Sequence, residues 1–274
     1  MSGRGIGRFV LPAFAVLVVI FLFAPIAVMI AFSFNNPLGR QNITWQGFTF
    51  DNYLTLWNRP DITDPMVTSL SIAVLSTIVA TTLGTMIAIS LSRHEFRGKG
   101  AMNLLIFVPM TAPEVILGAA MLTLWISFGT TRGFLTVLVA HVMFNISFVV
   151  VTLRARLSGL NKSLEEAGMD LYANGWTTFR KVTFPIIFPG ILAAALLAFA
   201  LSIDDYVITS FNAGHTVTFP LWVYGVSRLG IPPEVNVLGT LVFLIAFGFI
   251  AIQYWSQRRA GRTAEAGPVT MVGR

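Results

Sequence analysis

Long apolar runs alternate with short polar stretches along this chain, and most of the runs are long enough to cross a bilayer as helices. At 1.5 Å per residue, a hydrocarbon core of about 30 Å needs roughly 20 apolar residues. Residues 9–32, 69–92, 101–128, 134–153, 186–210 and 235–255 satisfy that requirement. They predict six transmembrane helices, hence an all-α, polytopic membrane protein. A cleaved signal peptide is the rival reading of the first run. Its apolar core spans only about 7–15 residues, so the run is read as an uncleaved helix, despite the small residues Ala31 and Ser33 at its end. Residues 35–65 are polar and carry Asn, Gly, Pro and Trp, which predicts a loop outside the membrane.

One polar, charged stretch, residues 163–185, interrupts the apolar pattern between the fourth and fifth runs. Ser163 followed by Glu166 reads as a capping box that starts a short helix. Asn174-Gly175 supplies a turn, since both residues tolerate positive φ. A second short helix over residues 176–182 is expected to stop before Pro185, whose ring disfavours helix in the preceding residue. The product is a helix-turn-helix knuckle outside the bilayer.

Composition supports a chain solvated mainly by lipid. It has 274 residues, is 55% hydrophobic and only 11% charged, with a mean hydropathy of +0.76. Soluble domains carry about 25% charged residues. The net charge of +6 does not mark a nucleic-acid surface, because the basic residues are scattered among loops. They report orientation instead. With the N-terminus in the cytoplasm, 14 of the 18 Lys and Arg fall on cytoplasmic segments, and only Arg40, Arg59, Arg132 and Arg228 fall outside. The positive-inside rule therefore places both termini, and the knuckle, in the cytoplasm. The organisation that follows is an N-terminal transmembrane helix (1–33), an extracytoplasmic loop (34–67), a core transmembrane domain (68–256) containing the cytoplasmic loop 160–185, and a polar cytoplasmic tail (257–274).

Catalysis by this chain is not expected. There is no cysteine, which excludes disulfides and thiolate chemistry. Gly98-Lys99-Gly100 lacks the spacing and the hydroxyl of a phosphate-binding loop. His94, His141 and His215 lie far apart, and no nucleophile elbow is present, so no catalytic residue and no metal site are assigned. The chemistry inside the membrane rests on three acids. Glu114 in the third run lies roughly 20 Å along the helix from Ala101, and Asp204 and Asp205 roughly 22 Å along from Pro189, all at similar depth in the outward half. A charge at the centre of a membrane helix costs about 2.5–3.5 kcal/mol. No Lys or Arg lies at their depth to neutralise them, so the missing partner is read as a cationic cargo. Tyr206 and Trp125 offer aromatic faces to such a cation. His141 and Asn145, four apart on one helix face, are read as hydrogen-bonding a neighbouring helix. Gly118-Ala-Ala120 and Ala193-Ala-Ala195 are read as close-approach sites between helices.

The stretch over residues 166–185 resembles the EAA motif of ABC-importer permeases: Glu-Ala-Ala, three residues, Gly, nine residues, Ile, one residue, Leu-Pro. Glu166, Ala167, Val182, Phe184 and Pro185 fall at its spacing, with Gly168 for the second Ala, Val182 for Ile and Phe184 for Leu. Tyr172 replaces the motif's Gly, and since a β-carbon disfavours the left-handed turn, the bend is expected at Asn174-Gly175. The resemblance implies a type I ABC importer permease fold. It also implies that Glu165, Glu166, Ala167, Gly168, Asp170, Tyr172, Gly175 and Pro185 couple the chain to a separate ATPase. The run Leu201-Ser-Ile-Asp-Asp-Tyr-Val-Ile-Thr-Ser-Phe-Asn212, with Thr218-Phe-Pro-Leu-Trp222 and Pro233-Glu-Val-Asn236, is similar to the spermidine/putrescine branch of that family. This implies a bacterial inner-membrane importer that pairs two different permeases with an ATPase dimer and an extracytoplasmic binding protein. ATP and Mg would be held by the ATPase, with no cofactor in this chain. Asp204, Asp205, Glu114 and Tyr206 would line the substrate pathway. Another cargo (iron, sulfate or an opine-like amine), or a secondary transporter or cation channel, remains an alternative on the residues alone.

Overall fold

The computed structural model describes residues 7–39, 41–161, 163–170, 172–245 and 247–248. In chain order its helices are α1 (Gly7–Ser33), α2 (Asp51–Thr55), α3 (Pro60–Arg93), α4 (Lys99–Thr111), α5 (Glu114–Ser127), α6 (Phe134–Ser158), α7 (Ser163–Asp170), α8 (Gly175–Thr178), α9 (Phe184–Ile203), α10 (Val207–Asn212), α11 (Phe219–Ser227) and α12 (Pro233–Ile245). The single β feature among the described residues is an isolated bridge between Asn35 and Phe48. Among the described residues, four helices are long and apolar enough to cross a membrane, and a fifth span results if the bent pair α4 and α5 counts as one. Of the sixth expected span, α12 forms the first part, and residues 249–255 lie outside the described residues, as does the expected tail 257–274. Arg4, Arg40, Lys162 and the arginines from 258 onward, used above for orientation, also lie outside them.

The chain divides into two compact units, residues 1–59 with 226–274, and residues 60–225. In the first, α1 exposes Leu11, Phe14, Leu17 and Phe21, as a lipid-facing helix does. The polar stretch after it is more ordered than the loop expected from its composition. Buried Asn35 donates to Asn42 Oδ1 (2.6 Å) and to the carbonyl of Thr44 (2.9 Å) while its own Oδ1 accepts from the N–H of Gln46 (2.7 Å). Phe34 stacks on Phe48 and meets Phe50 and Tyr53. The loop ends at residue 59 rather than 67. A proline at the first helical position gives up no bonded N–H, and α3 therefore begins at Pro60.

The second unit is built on α3, α6 and α9, brought together by small residues at four-residue spacing. On α3 these are Ser76, Ala80, Gly84 and Ala88, and on α9 Gly190, Ala194, Ala198 and Ser202. A β-carbon on Gly84 would lie 2.6 Å from Val149 Cγ1, and one on Gly190 would lie 2.9 Å from Arg156 Cγ. The backbones are thus in close contact, which is how membrane helices gain dispersion energy without a hydrophobic drive between them. Ser76 and Ser202 at the ends of the two stripes hydrogen-bond at 2.9 Å.

Two expected spans are broken. Residues 101–128 form α4 and α5, bent by 109°. Pro113 lacks the N–H needed to continue the ladder and pushes Ala112 into extended backbone (φ −72, ψ 137). The helix-rise arithmetic that placed Glu114 along a straight third span is thereby corrected. Residues 186–210 likewise split at Asp204–Tyr206 into α9 and α10.

Candidate functional site

The two breaks lie side by side. A β-carbon on Gly118 of α5 would meet Phe211 Cδ2 at 2.7 Å and Ile208 Cα at 3.4 Å on α10, and further along Trp125 Nε1 donates to Asn212 Oδ1 (2.8 Å). Helices α5 and α10 therefore pack directly against each other. Glu114 is the first residue of α5, and Asp204, Asp205 and Tyr206 immediately precede α10. The fold thus sets the acids that the sequence singles out at the starts of two helices that pack on each other. Interrupted backbone at membrane depth is tolerated where it lines a water-filled cavity or is buried in protein. Glu114 and Asp204 are exposed within the chain. The phenol ring of Tyr206 packs on Tyr224 with centroids 4.6 Å apart, an aromatic pair next to the acids. Tyr224, on a short apolar helix, gave no sign in the sequence.

Asp205 has a different environment, which corrects the expectation that the acids lack an internal partner. Its side chain is 6% exposed, with Oδ2 3.3 Å from His141 Nε2. Asp205 caps α10 by accepting from the N–H groups of Ile208 (3.3 Å) and Thr209 (2.7 Å), and Thr209 Oγ1 donates to it at 2.7 Å. That hydroxyl proton is spent on the carboxylate, so at the 2.9 Å contact between Thr209 Oγ1 and His141 Nε2 the imidazole is the donor. In the neutral ring Nδ1 then accepts from Ser202 at 2.7 Å. A buried polar chain runs from Ser76 through Ser202, His141 and Thr209 to Asp205. His141 bonds neighbouring helices as expected. Asn145 does not: it is fully buried, and neither its Nδ2 nor its Oδ1 has a hydrogen-bond partner.

In the knuckle, α7 starts at Ser163 as expected but without the capping box. Ser163 is already helical, and its N–H is capped by Asn161 Oδ1 (3.1 Å). The bend is at Tyr172, the one non-glycine residue with positive φ (+62) among those described. Its N–H reaches the carbonyl of Met169 (3.0 Å), and the N–H of Ala173 reaches that of Gly168 (3.3 Å). This is the paired closure of a helix C-terminus that glycine usually serves. Asn174 is extended and caps α8 by accepting from the N–H of Thr177 at 2.8 Å, so it does not make the expected bend. Nor does the chain stop before Pro185. Helix α8 runs through a π-type turn, Phe179–Thr183, directly into α9. The wider turn absorbs the missing proline N–H and the ring.

Glu165 and Glu166 face different ways. Glu165 Oε1 accepts from Arg93 Nη2 (2.6 Å) at the end of α3 and from Thr183 Oγ1 (2.7 Å) at the foot of α9, which fixes α7 to both long helices. At Gly168, α7 lies against Thr178 and Val182, with room for a β-carbon in ordinary contact at 3.5–3.7 Å. Glu166, Ala167, Asp170, Gly175 and Pro185 are exposed, and so are Leu164, Met169, Tyr172 and Trp176, which together form a mixed apolar and acidic surface. Arg93 and Thr183 were not legible as partners, because they lie 72 and 18 positions from Glu165.

Residues 80–262 match the family described as binding-protein-dependent transport system inner membrane component. The spermidine/putrescine transport system permease protein PotC of Escherichia coli (strain K12) is 36% identical over 242 residues, covering 88% of this chain and 91% of that protein. The putrescine transport system permease protein PotI of the same organism is 36% identical over 243 residues, covering 86% and 85%. A chain of a bacterial ABC transporter involved in import of the acidic polysaccharide alginate matches with a TM-score of 0.63 at 18% identity, over 94% of this chain and 98% of that one. A chain of the inward-facing MetNI methionine ABC transporter matches with a TM-score of 0.55 at 17% identity, over 72% and 93%. At that level of identity, the two structural likenesses concern the fold alone.

Proposed function

This chain belongs to the family of binding-protein-dependent transport system inner membrane components, and from that premise we propose that it is the permease of an ATP-driven importer whose cargo is a polyamine. The observation that supports the cargo is that the two helices opening at the acids, α5 at Glu114 and α10 just after Asp204 and Asp205, pack on each other, with the Tyr206–Tyr224 pair next to the aspartates. Exposed Glu114 and Asp204 meet the ammonium groups directly and offset their dehydration, while the aromatic faces add cation–π attraction. Asp205 acts as the fixed element: it holds the start of α10 and, through Thr209 and His141, ties it to α6 and α9. Its sequestered charge adds to the local negative potential without contacting the cargo.

In this reading the chain pairs with a second, different permease, an extracytoplasmic binding protein delivers cargo, and both termini lie in the cytoplasm of a bacterial inner membrane. An ATPase dimer, holding ATP and Mg, grips the surface of Glu166, Asp170, Tyr172 and Trp176. Closure of that dimer moves α7, and the Arg93–Glu165–Thr183 contact passes the motion to α3 and α9, the helix that ends at the acidic break. The test is ATP-dependent uptake of labelled spermidine and putrescine by the assembled transporter carrying Asp204→Asn or Glu114→Gln. Each substitution is expected to reduce uptake while ATPase assembly persists, and unchanged uptake in both refutes the assignment of the pathway.

A further inference from the structure

A second site lies away from the acids, where α3 and α6 end and α4 begins. A cavity of about 650 Å³ opens there, lined by Leu91, Arg93, Lys99, Asn103, Phe107 and Arg154 among others. Its volume is that of a small-molecule site, and it gathers three cations from three helices. Two are matched: Arg93 by Glu165 (2.6 Å), and Lys99 by Glu95 (2.7 Å), whose own side chain is 88% exposed and so screened by water. Among the described residues, Arg154 is not matched by any carboxylate. Its polar contact is with Asn103 Oδ1 (2.8 Å), which uses one of the five N–H donors of a half-buried guanidinium. The bonds of Glu165 go to Arg93 and Thr183, both through Oε1.

Part of the lining is apolar. Leu91 and Phe107 form it, and Phe107 is 45% exposed and continuous along α4 with Leu104, Leu105 and Val108, which are 68%, 64% and 46% exposed. We propose that this cavity binds the phosphate headgroup of an anionic phospholipid, with one acyl chain along the Phe107 face of α4. Planar guanidinium donors suit two phosphate oxygens at once, and basic pockets between membrane helices at headgroup depth hold such lipids. A free phosphate ion would satisfy the cations but leave the apolar wall uncovered. The site is independent of the cargo and of its pathway.

The test is native mass spectrometry of the full chain, purified with its accompanying subunits, delipidated, and titrated with phosphatidylglycerol, phosphatidylcholine or inorganic phosphate. Phosphatidylglycerol is expected to bind about tenfold more tightly than phosphatidylcholine, the ratio appropriate to one charge-assisted pair. Arg154→Gln should bring the two lipids to parity, Lys99→Gln should lower the preference in part, and Arg154→Lys should retain part of it. Equal binding of the two lipids by the unaltered protein, or an undiminished preference in both Gln variants, overturns the proposal. So does displacement of phosphatidylglycerol by equimolar inorganic phosphate, which would mark a simple anion site, or loss of a subunit from Arg154→Gln, which would mark a protein interface.

Discussion

Replacing Glu165 by Ala removes the contact that fixes the knuckle to the long helices. The carboxylate oxygen accepts two hydrogen bonds, one at 2.6 Å from Arg93 and one at 2.7 Å from Thr183, and the paired side chains are only 14% and 19% exposed. A hydrogen bond to a charged group contributes about 1.5–3 kcal/mol, and removing one partner of a buried ion pair costs about 3–5 kcal/mol. With partial exposure the cost to docking of α7 is about 2 kcal/mol, or roughly a thirtyfold fall in the docked-to-undocked ratio, since 1.4 kcal/mol is a factor of ten. Glu165→Gln keeps the acceptor without the charge and should lose about half as much free energy. The assay is ATP hydrolysis by the assembled transporter with and without cargo-loaded binding protein, together with limited proteolysis of residues 163–183 in the chain alone. Glu165→Ala is expected to lose stimulation and to expose the segment to protease. The exchanged pair Arg93→Glu with Glu165→Arg should recover part of both. Glu166→Ala, on an exposed residue, should weaken ATPase association with protection unchanged. Wild-type stimulation and protection in Glu165→Ala would refute the reasoning.

Other expectations follow from the same geometry. Tyr172→Gly should raise the thermal stability of the knuckle by up to about 1 kcal/mol, because a non-glycine left-handed residue costs about 1–2 kcal/mol and glycine's added unfolded-state entropy returns part of it; lower protease resistance of that segment would contradict the strain argument. Asn145→Leu removes two buried polar atoms that lack partners and should raise the melting temperature in detergent, about 1–3 kcal/mol being the cost of each such group; a fall would mean that Asn145 bonds elsewhere. Gly84→Val drives side-chain atoms into Val149 and should depress stability strongly, by at least the 1–3 kcal/mol typical of overpacking, read as loss of monodisperse protein. His141→Leu takes the acceptor from the Ser202 hydroxyl and the ring donor from Thr209 Oγ1 at a buried position and should cost more stability than Asp205→Asn, which keeps an acceptor for α10; the reverse order in thermal melts would refute the proposed polar chain.

The membrane architecture was legible because lipid allows so few backbone solutions: apolar runs of sufficient length must be helices, and α1, α3, α6 and α9 follow the hydropathy closely. What hydropathy does not record is continuity. The runs at 101–128 and 186–210 read as single spans because Pro113 and Asp204-Asp205 differ little from their surroundings in averaged polarity, yet both end the ladder locally. The small-residue stripes were partly legible, but their four-residue register on α3 and α9 emerges only when the helices are seen to pack. At Tyr172 local propensity pointed the wrong way, since two closing hydrogen bonds and the Asn174 cap outweigh the cost of one left-handed residue. Partners distant in sequence, such as Arg93 for Glu165 and His141 for Asp205, leave no periodic trace.

The central claim is that ATP hydrolysis by a partner moves a cationic polyamine past the acidic break, and labelled spermidine uptake into proteoliposomes containing the whole transporter measures it most directly. With ATP, the unaltered protein should accumulate spermidine against its gradient, and Asp204→Asn should fall at least about tenfold while binding its ATPase normally, as expected for loss of one charge contact in a low-dielectric path. Accumulation that proceeds without ATP, or that is indifferent to Asp204→Asn and Glu114→Gln alike, would contradict the account.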